Sequence, residues 1–129
     1  MINAGIVGIG TWGQLLVRSV QQSKVLRFTK GVTRTRSKAS EFCSGHDVEL
    51  VDDYASLLGD PSIDAIVLAT PHTQHVGQIV AAAEAGKHIF AEKPYTLSKL
   101  DTEIALAAVE KAGVKTAVGF NRRFAPNFQ

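Results

Sequence analysis

The 129 residues carry 14 Lys and Arg against 12 Asp and Glu, with an apolar fraction of 45% and one cysteine. That length suits one domain, the apolar content excludes a disordered chain, and no apolar run nears the roughly 20 residues that span a bilayer. A net charge of +2 calls for no nucleic acid, and lone Cys43 excludes a disulfide framework or a cysteine-based zinc site.

Taken in order, the chain alternates strand and helix. An apolar run over 4–7 predicts a strand leading into Gly8, Gly10 and Gly13, spaced G-x-G-x-x-G. A helix is predicted over 12–22 with Leu15, Leu16, Ser19 and Val20 facing inward. Strand, turn and helix in that order are the context a dinucleotide fingerprint requires. Gly8 permits the tight turn, Gly10 lets a pyrophosphate approach the backbone, and Gly13 lets helix pack on strand. The helix's first N–H groups then face the phosphates.

Residues 26–32 read as a second strand, and the polar stretch 33–40 opens a short helix ending near Gly45. A brief strand over 48–51 precedes Asp52-Asp53, which can cap a helix over 54–58. Residues 63–69 form a near-continuous apolar run, as in a strand buried on both faces. Thr70-Pro71 stops it. An alanine-rich helix follows to Ala85, closed by Gly86, with Val76, Ile79, Val80 and Ala83 as its core stripe. Residues 88–91 are a strand ending in Glu92-Lys93-Pro94. Ser98 and Asp101 resemble a capping box for a helix to about Ala112, and 115–119 is a last strand. The pattern predicts an α/β fold, a doubly wound parallel sheet of the Rossmann type. The domain is expected over 1–119, with 120–129 beginning a connection beyond it.

In such sheets ligands lie beyond the carboxyl ends of the strands, and the unusual polar clusters fall there. Strand two ends in Thr33-Arg34-Thr35-Arg36-Ser37-Lys38, with no carboxylate until Glu41. An NAD site places an acidic residue here. Thr33, Arg34 and Arg36 instead suit a 2′-phosphate, which arginine can bind bidentately, so NADP(H) is expected in preference to NAD(H). His72 and His75 are expected to shape the nicotinamide side or cap the helix; no cysteine or carboxylate joins them, and no metal site is expected. Isolated His46 and His88 read as structural. Lys93, at a strand end, can hydrogen-bond a substrate hydroxyl and exchange its proton.

These stretches together resemble one family. Gly8 to Gly13, Asp60-Pro61-Ser62-Ile63-Asp64-Ala65-Ile66, Thr70-Pro71 with His75, Ala85-Gly86-Lys87-His88, Glu92-Lys93-Pro94 and Gly119-Phe120-Asn121-Arg122-Arg123-Phe124 follow the order of the amino-terminal domain of the Gfo/Idh/MocA oxidoreductases. The resemblance implies a domain that binds NAD(P) for hydride transfer to or from a carbon of a sugar or cyclitol. It places Thr11 and Trp12 with the three glycines on the pyrophosphate. It places Thr70, Pro71 and His75 along the cofactor cleft, Glu92 near the nicotinamide ribose, Lys93 as the catalytic lysine, and Asn121 and Arg122 over the nicotinamide side. His72 and Tyr95 depart from the asparagine and aliphatic residue more usual in the family. It further implies a carboxyl-terminal α+β substrate domain, through which a homo-oligomer could form.

The expected partner is thus a small sugar or polyol, with no nucleic acid and no membrane. The early glycine turn leaves no room for a signal peptide, so a cytoplasmic setting is expected. A nonenzymatic dinucleotide-binding module or sensor is the alternative, and the chain without a substrate domain is expected to be inactive. An S-adenosylmethionine methyltransferase would want a carboxylate where Thr33-Arg34 stands. Cysteine hydrolase chemistry finds no strand-end histidine beside Cys43.

Overall fold

The structure, a computed structural model, describes residues 1–128; Gln129, at the end of the expected connection, lies outside them. Strand β1 (Ile2–Val7) begins two residues before its apolar run. Backbone pairing rather than side-chain burial extends it, since Ile2 N–H donates to Val25 O at 2.7 Å and Asn3 pairs with Arg27 on the next strand. Helix α1 (Thr11–Val20) follows the glycine turn, then β2 (Leu26–Val32), α2 (Arg36–Gly45), β3 (Glu49–Leu50) and α3 (Tyr54–Leu58). The second half runs β4 (Ala65–Leu68), a 3-10 turn (His72–Gln74), α4 (His75–Glu84), β5 (His88–Ala91), α5 (Lys99–Ala112) and β6 (Thr116–Val118). Two further 3-10 turns, Asn121–Phe124 and Pro126–Phe128, end the description.

All strand pairs are parallel, and the order across the sheet is β3-β2-β1-β4-β5-β6. This is the doubly wound Rossmann order, with its switch point between β1 and β4. Side chains of the central strands alternate between two cores. Val7, Ile66 and Leu68 pack with Ile79, Ala83, Ala105 and Val109 on one face. Ala4, Ile6 and Val67 pack with Val17, Ala39 and Cys43 on the other. Both faces are therefore dry, as the continuous apolar run of β4 requires.

The helix ends follow their cap chemistry. Asp53 accepts from Ser56 N–H and Ser98 from Asp101 N–H, each satisfying a free first-turn donor. Gly86 and Gly113 take the left-handed φ values of 72° and 68° that end α4 and α5,.

Two inward stripes differ from expectation. In α1 the buried residues are Gly13 and Val17, with Leu16 and Val20 half-buried, while Leu15 and Ser19 face outward. The glycine turn sets this phase: Gly13 must face β1 because a Cβ there would collide with Gly8 O, and positions three, four and seven on then follow it inward. In α4 the buried set is His75, Ile79, Ala82 and Ala83, with Val76 and Val80 only half-buried. Here the inward turn of His75 sets the phase. No helix among the described residues is long and apolar enough to cross a membrane.

Candidate dinucleotide site at the carboxyl edge of the sheet

Beyond Val7 the backbone reverses at Gly8, whose φ of +91° favours glycine,. A Cβ at Gly8 would stand 2.6 Å from Ala69 O, so the turn and the end of β4 are in direct contact. Gly10 has the opposite character: a Cβ there meets nothing within 4 Å. It precedes α1 with no side-chain cap. The first helical bond is Gln14 N–H to Gly10 O at 2.9 Å, so the N–H groups of Thr11, Trp12 and Gly13 precede the ladder and are available to an anion. Open space above a glycine, bare helix donors and an extended groove together fit a pyrophosphate.

Two adjoining cavities run along the strand ends and share Ala69 and Thr70. The larger, about 640 Å3, is lined by the Gly8–Gly10 turn, Thr11, Thr33, Arg34, Thr35, Lys38, Tyr54, Pro71, Gln74 and Gln78 among others. No carboxylate lines it. Arg34 and Lys38 make no ion pair among the described residues. The smaller, about 330 Å3, is lined by Trp12, His72, Glu92, Lys93, Gly119 and Asn121 with the shared pair. Gly119 leaves room for the Glu92 carboxylate, since a Cβ there would lie 2.8 Å from Glu92 Oε1.

Most of the expected site residues meet at these two cavities. Four do not line them. Gly13 is buried beneath the turn, where a Cβ would collide with Gly8 O. Arg36 opens α2 and turns away, donating to Leu50 O at 3.2 Å, Val51 O at 2.9 Å and Asp52 Oδ1 at 3.0 Å. The end of the edge strand β3 leaves those carbonyls without a neighbouring strand, and the guanidinium fork takes them. His75 is fully buried with both ring nitrogens against backbone oxygens, so it does not line the cleft. Arg122 is exposed in the 3-10 turn Asn121–Phe124, outside both linings.

Sequence reading missed Lys38, Tyr54, Gln74 and Gln78 in the larger cavity. Lys38 was visible in the basic run but not as a wall residue. Gln74 closes the 3-10 turn before α4 and Gln78 lies in the helix's first turn, where it also holds the strand end: Thr70 Oγ1 donates to Gln78 Oε1 at 2.6 Å. Tyr54 donates to Gln78 O at 2.7 Å, and burial pushes its phenol well above the ordinary range, so it stays neutral. His46 and His88 are structural, with His46 Nδ1 2.8 Å from Phe42 O and His88 Nδ1 accepting from Lys115 N–H. Cys43 is buried in the core, which raises its thiol.

The Gfo/Idh/MocA model of the oxidoreductase family, with an NAD-binding Rossmann fold, matches residues 2–120. The chain belongs to this family. Among its Gfo/Idh/MocA relatives, the uncharacterized oxidoreductase YrbE of Bacillus subtilis is 42% identical over 129 residues, which are 99% of this chain and 38% of that protein. The scyllo-inositol 2-dehydrogenase (NAD(+)) of the same organism is 46% identical over 77 residues, 60% of this chain and 22% of its own length. Among solved structures, the 3-ketoreductase KijD10 of Actinomadura kijaniata in complex with NADP superposes with a TM-score of 0.91 at 25% identity, over 98% of this chain and 41% of that one. The chain thus spans about 38% of the length of the full curated relative it matches end to end. The family's cofactor is a nicotinamide dinucleotide, and the relatives include NAD- and NADP-linked dehydrogenases.

Proposed function

We propose that this domain serves an oxidoreductase that transfers a hydride between NADP(H), in preference to NAD(H), and a carbon of a sugar or cyclitol. The observation that carries the cofactor preference is the larger cavity's wall, where Arg34 and Lys38 stand and no carboxylate does. Thr33 and Thr35 add hydroxyl donors. Two cations and two hydroxyls suit a 2′-phosphate and offer nothing to the ribose diol that an acidic residue would hold. Arg36, committed to the end of β3, plays no part in this reading.

When bound, the nicotinamide supplies or accepts the hydride. Gly8, Gly10, Gly13 and the first N–H groups of α1 hold the pyrophosphate, with Thr11 and Trp12 flanking it. Thr70, Pro71 and His72 wall the passage to the smaller cavity. Glu92 accepts from ribose hydroxyls. Lys93 donates to the substrate hydroxyl or carbonyl oxygen and exchanges the proton that accompanies the hydride. Asn121 offers an amide at the same cavity. Residues 120–129 lead toward the substrate-bearing part of the enzyme, a reading supported by the exposed rings of Phe120 and Phe124.

A panel of inositols, hexoses and their keto forms, followed by nicotinamide absorbance with each cofactor, tests the assignment. In the enzyme that this domain serves, turnover of at least one cyclitol or sugar that is lost in Lys93→Met is expected. Dinucleotide binding with no turnover of any polyol would leave a binding module rather than an enzyme.

A further inference from the structure

His75 is the buried ring that the cleft itself does not use. It stands at the first position of α4, fully buried. Its Nδ1 lies 3.0 Å from Pro94 O and 3.1 Å from Tyr95 O, and its Nε2 lies 3.1 Å from Thr70 O. One rigid ring therefore joins the end of β4 to the segment just past Lys93. Lys93 has no ion pair or side-chain hydrogen bond among the described residues, so its placement depends on its backbone. On one side that backbone is fixed by Glu92 N–H donating to Leu68 O at 3.0 Å. On the other side the next two carbonyls both meet the His75 ring. The Tyr95 hydroxyl, 3.1 Å from Thr116 Oγ1, anchors the far end of the segment.

We infer that His75 is a positioning residue: its Nδ1–H donates to the Pro94 and Tyr95 carbonyls and so holds Lys93 at the smaller cavity. The inference rests on the reading of Lys93 as the group that meets the substrate. A neutral imidazole has a single N–H, and its placement on Nδ1 directs the bond to the lysine segment rather than to Thr70. Half-buried carbonyls that lose their donor turn to water for a partner,, so without this bond the segment rearranges and carries Lys93 with it. Misplacing a group at the reacting centre by about 1 Å can cost on the order of a hundredfold in rate.

Three replacements separate the two sides of the ring. In His75→Asn the amide nitrogen takes the place of Nδ1 and keeps the bond to the lysine segment. In His75→Gln it takes the place of Nε2, beside Thr70 O, and leaves the lysine segment without its donor. His75→Phe keeps the ring volume and neither bond. The expected result is kcat near wild type in H75N and reduced by at least about tenfold in H75Q and H75F, with the Kd for NADPH unchanged in all three. Hydrogen exchange followed by mass spectrometry should show faster exchange over residues 93–97 in H75Q and H75F, with α4 still protected. If H75N loses as much as H75F, or if kcat follows Tm across the series, the ring merely fills space and the inference falls. Absence of any turnover in the wild type would remove the proposed reaction, while the exchange pattern would still decide whether His75 holds the segment.

Discussion

At the β1–α1 turn of the cleft the wall is mostly backbone, shaped by glycines at positions where a side chain either cannot fit or has no neighbour. At the β4–β6 end the wall is made of side chains, Trp12, His72, Glu92, Lys93 and Asn121, brought together from the start of α1 and the segments after β4, β5 and β6. The first end can hold any dinucleotide phosphate through N–H groups common to every residue. The second must place individual atoms, and it depends on ties behind the surface such as the His75 ring. Substitutions at the two ends should therefore fail differently.

The largest effect should separate two glycines of the same turn. Gly8→Val adds a side chain at φ +91° and against Ala69 O, so it should destabilise the domain by roughly 3 kcal/mol or more. Gly10→Val adds one into open space. Its Tm should stay near wild type while dinucleotide affinity falls on the order of a hundredfold, about 2.7 kcal/mol. Thermal unfolding and a fluorescence titration of Trp12, the single tryptophan, 43% exposed at the smaller cavity, measure both. Equal destabilisation by the two would erase the distinction.

A smaller effect is expected from Gly119→Ala at the side-chain end. The new methyl displaces the Glu92 carboxylate, a movable group, so Tm should barely change. Turnover should drop several-fold, about 1 kcal/mol in the barrier. An unchanged rate would show that the position of Glu92 does not matter.

Lys30 tests whether both ends share one support. It bridges Asp60 at 2.8 Å and Glu49 at 3.3 Å, joining β2, β3 and the turn before β4. The hydrogen bond from Lys30, then those from Ser62, hold the Asp60 carboxyl well below the ordinary carboxylate range. A depressed carboxyl contributes stability that is present above its unfolded value, about pH 4, and lost as the pH falls through the folded one. Denaturant midpoints between about pH 2 and 5 should therefore fall less steeply in Lys30→Met than in wild type, with the NADPH to NADH preference untouched. A change in that preference would tie the bridge to the site.

The least effect should come from Thr29→Val. Thr29 sits at the irregularity where Ala4 pairs with Phe28 but Gly5 with Lys30, and its hydroxyl is buried without a partner among the described residues. Removing an unpaired hydroxyl at constant shape is expected to be neutral or to stabilise by about 1 kcal/mol at most. A clear loss in the unfolding midpoint would show that the hydroxyl has a partner.

The backbone-built end was legible in the sequence because its constraints are carried by residue type: glycine spacing, a breaker at Thr70-Pro71, and apolar runs of strand length. Side-chain direction was harder to read. Arg34 and Arg36 are alike as residues, yet one lines the cavity and the other serves the open end of β3. His72 and His75 differ only by three positions, yet one faces the cleft and the other lies inside the core. The arginines part because the open end of β3 captures Arg36, and the histidines part because α4 begins with His75 turned inward. Neither contact is visible from local pattern. The fold and family followed from the ordered motifs, whereas the inner support of Lys93 needed the structure.

The most direct test of the account is the ratio of NADH to NADPH dissociation constants, read from Trp12 fluorescence in wild type and three variants. NADPH should bind at least about tenfold more tightly, about 1.4 kcal/mol. That margin should shrink in Arg34→Ala and Lys38→Ala and persist in Arg36→Ala. Tighter binding of NADH in the wild type, or a margin that depends on Arg36 and not on Arg34 or Lys38, would contradict it.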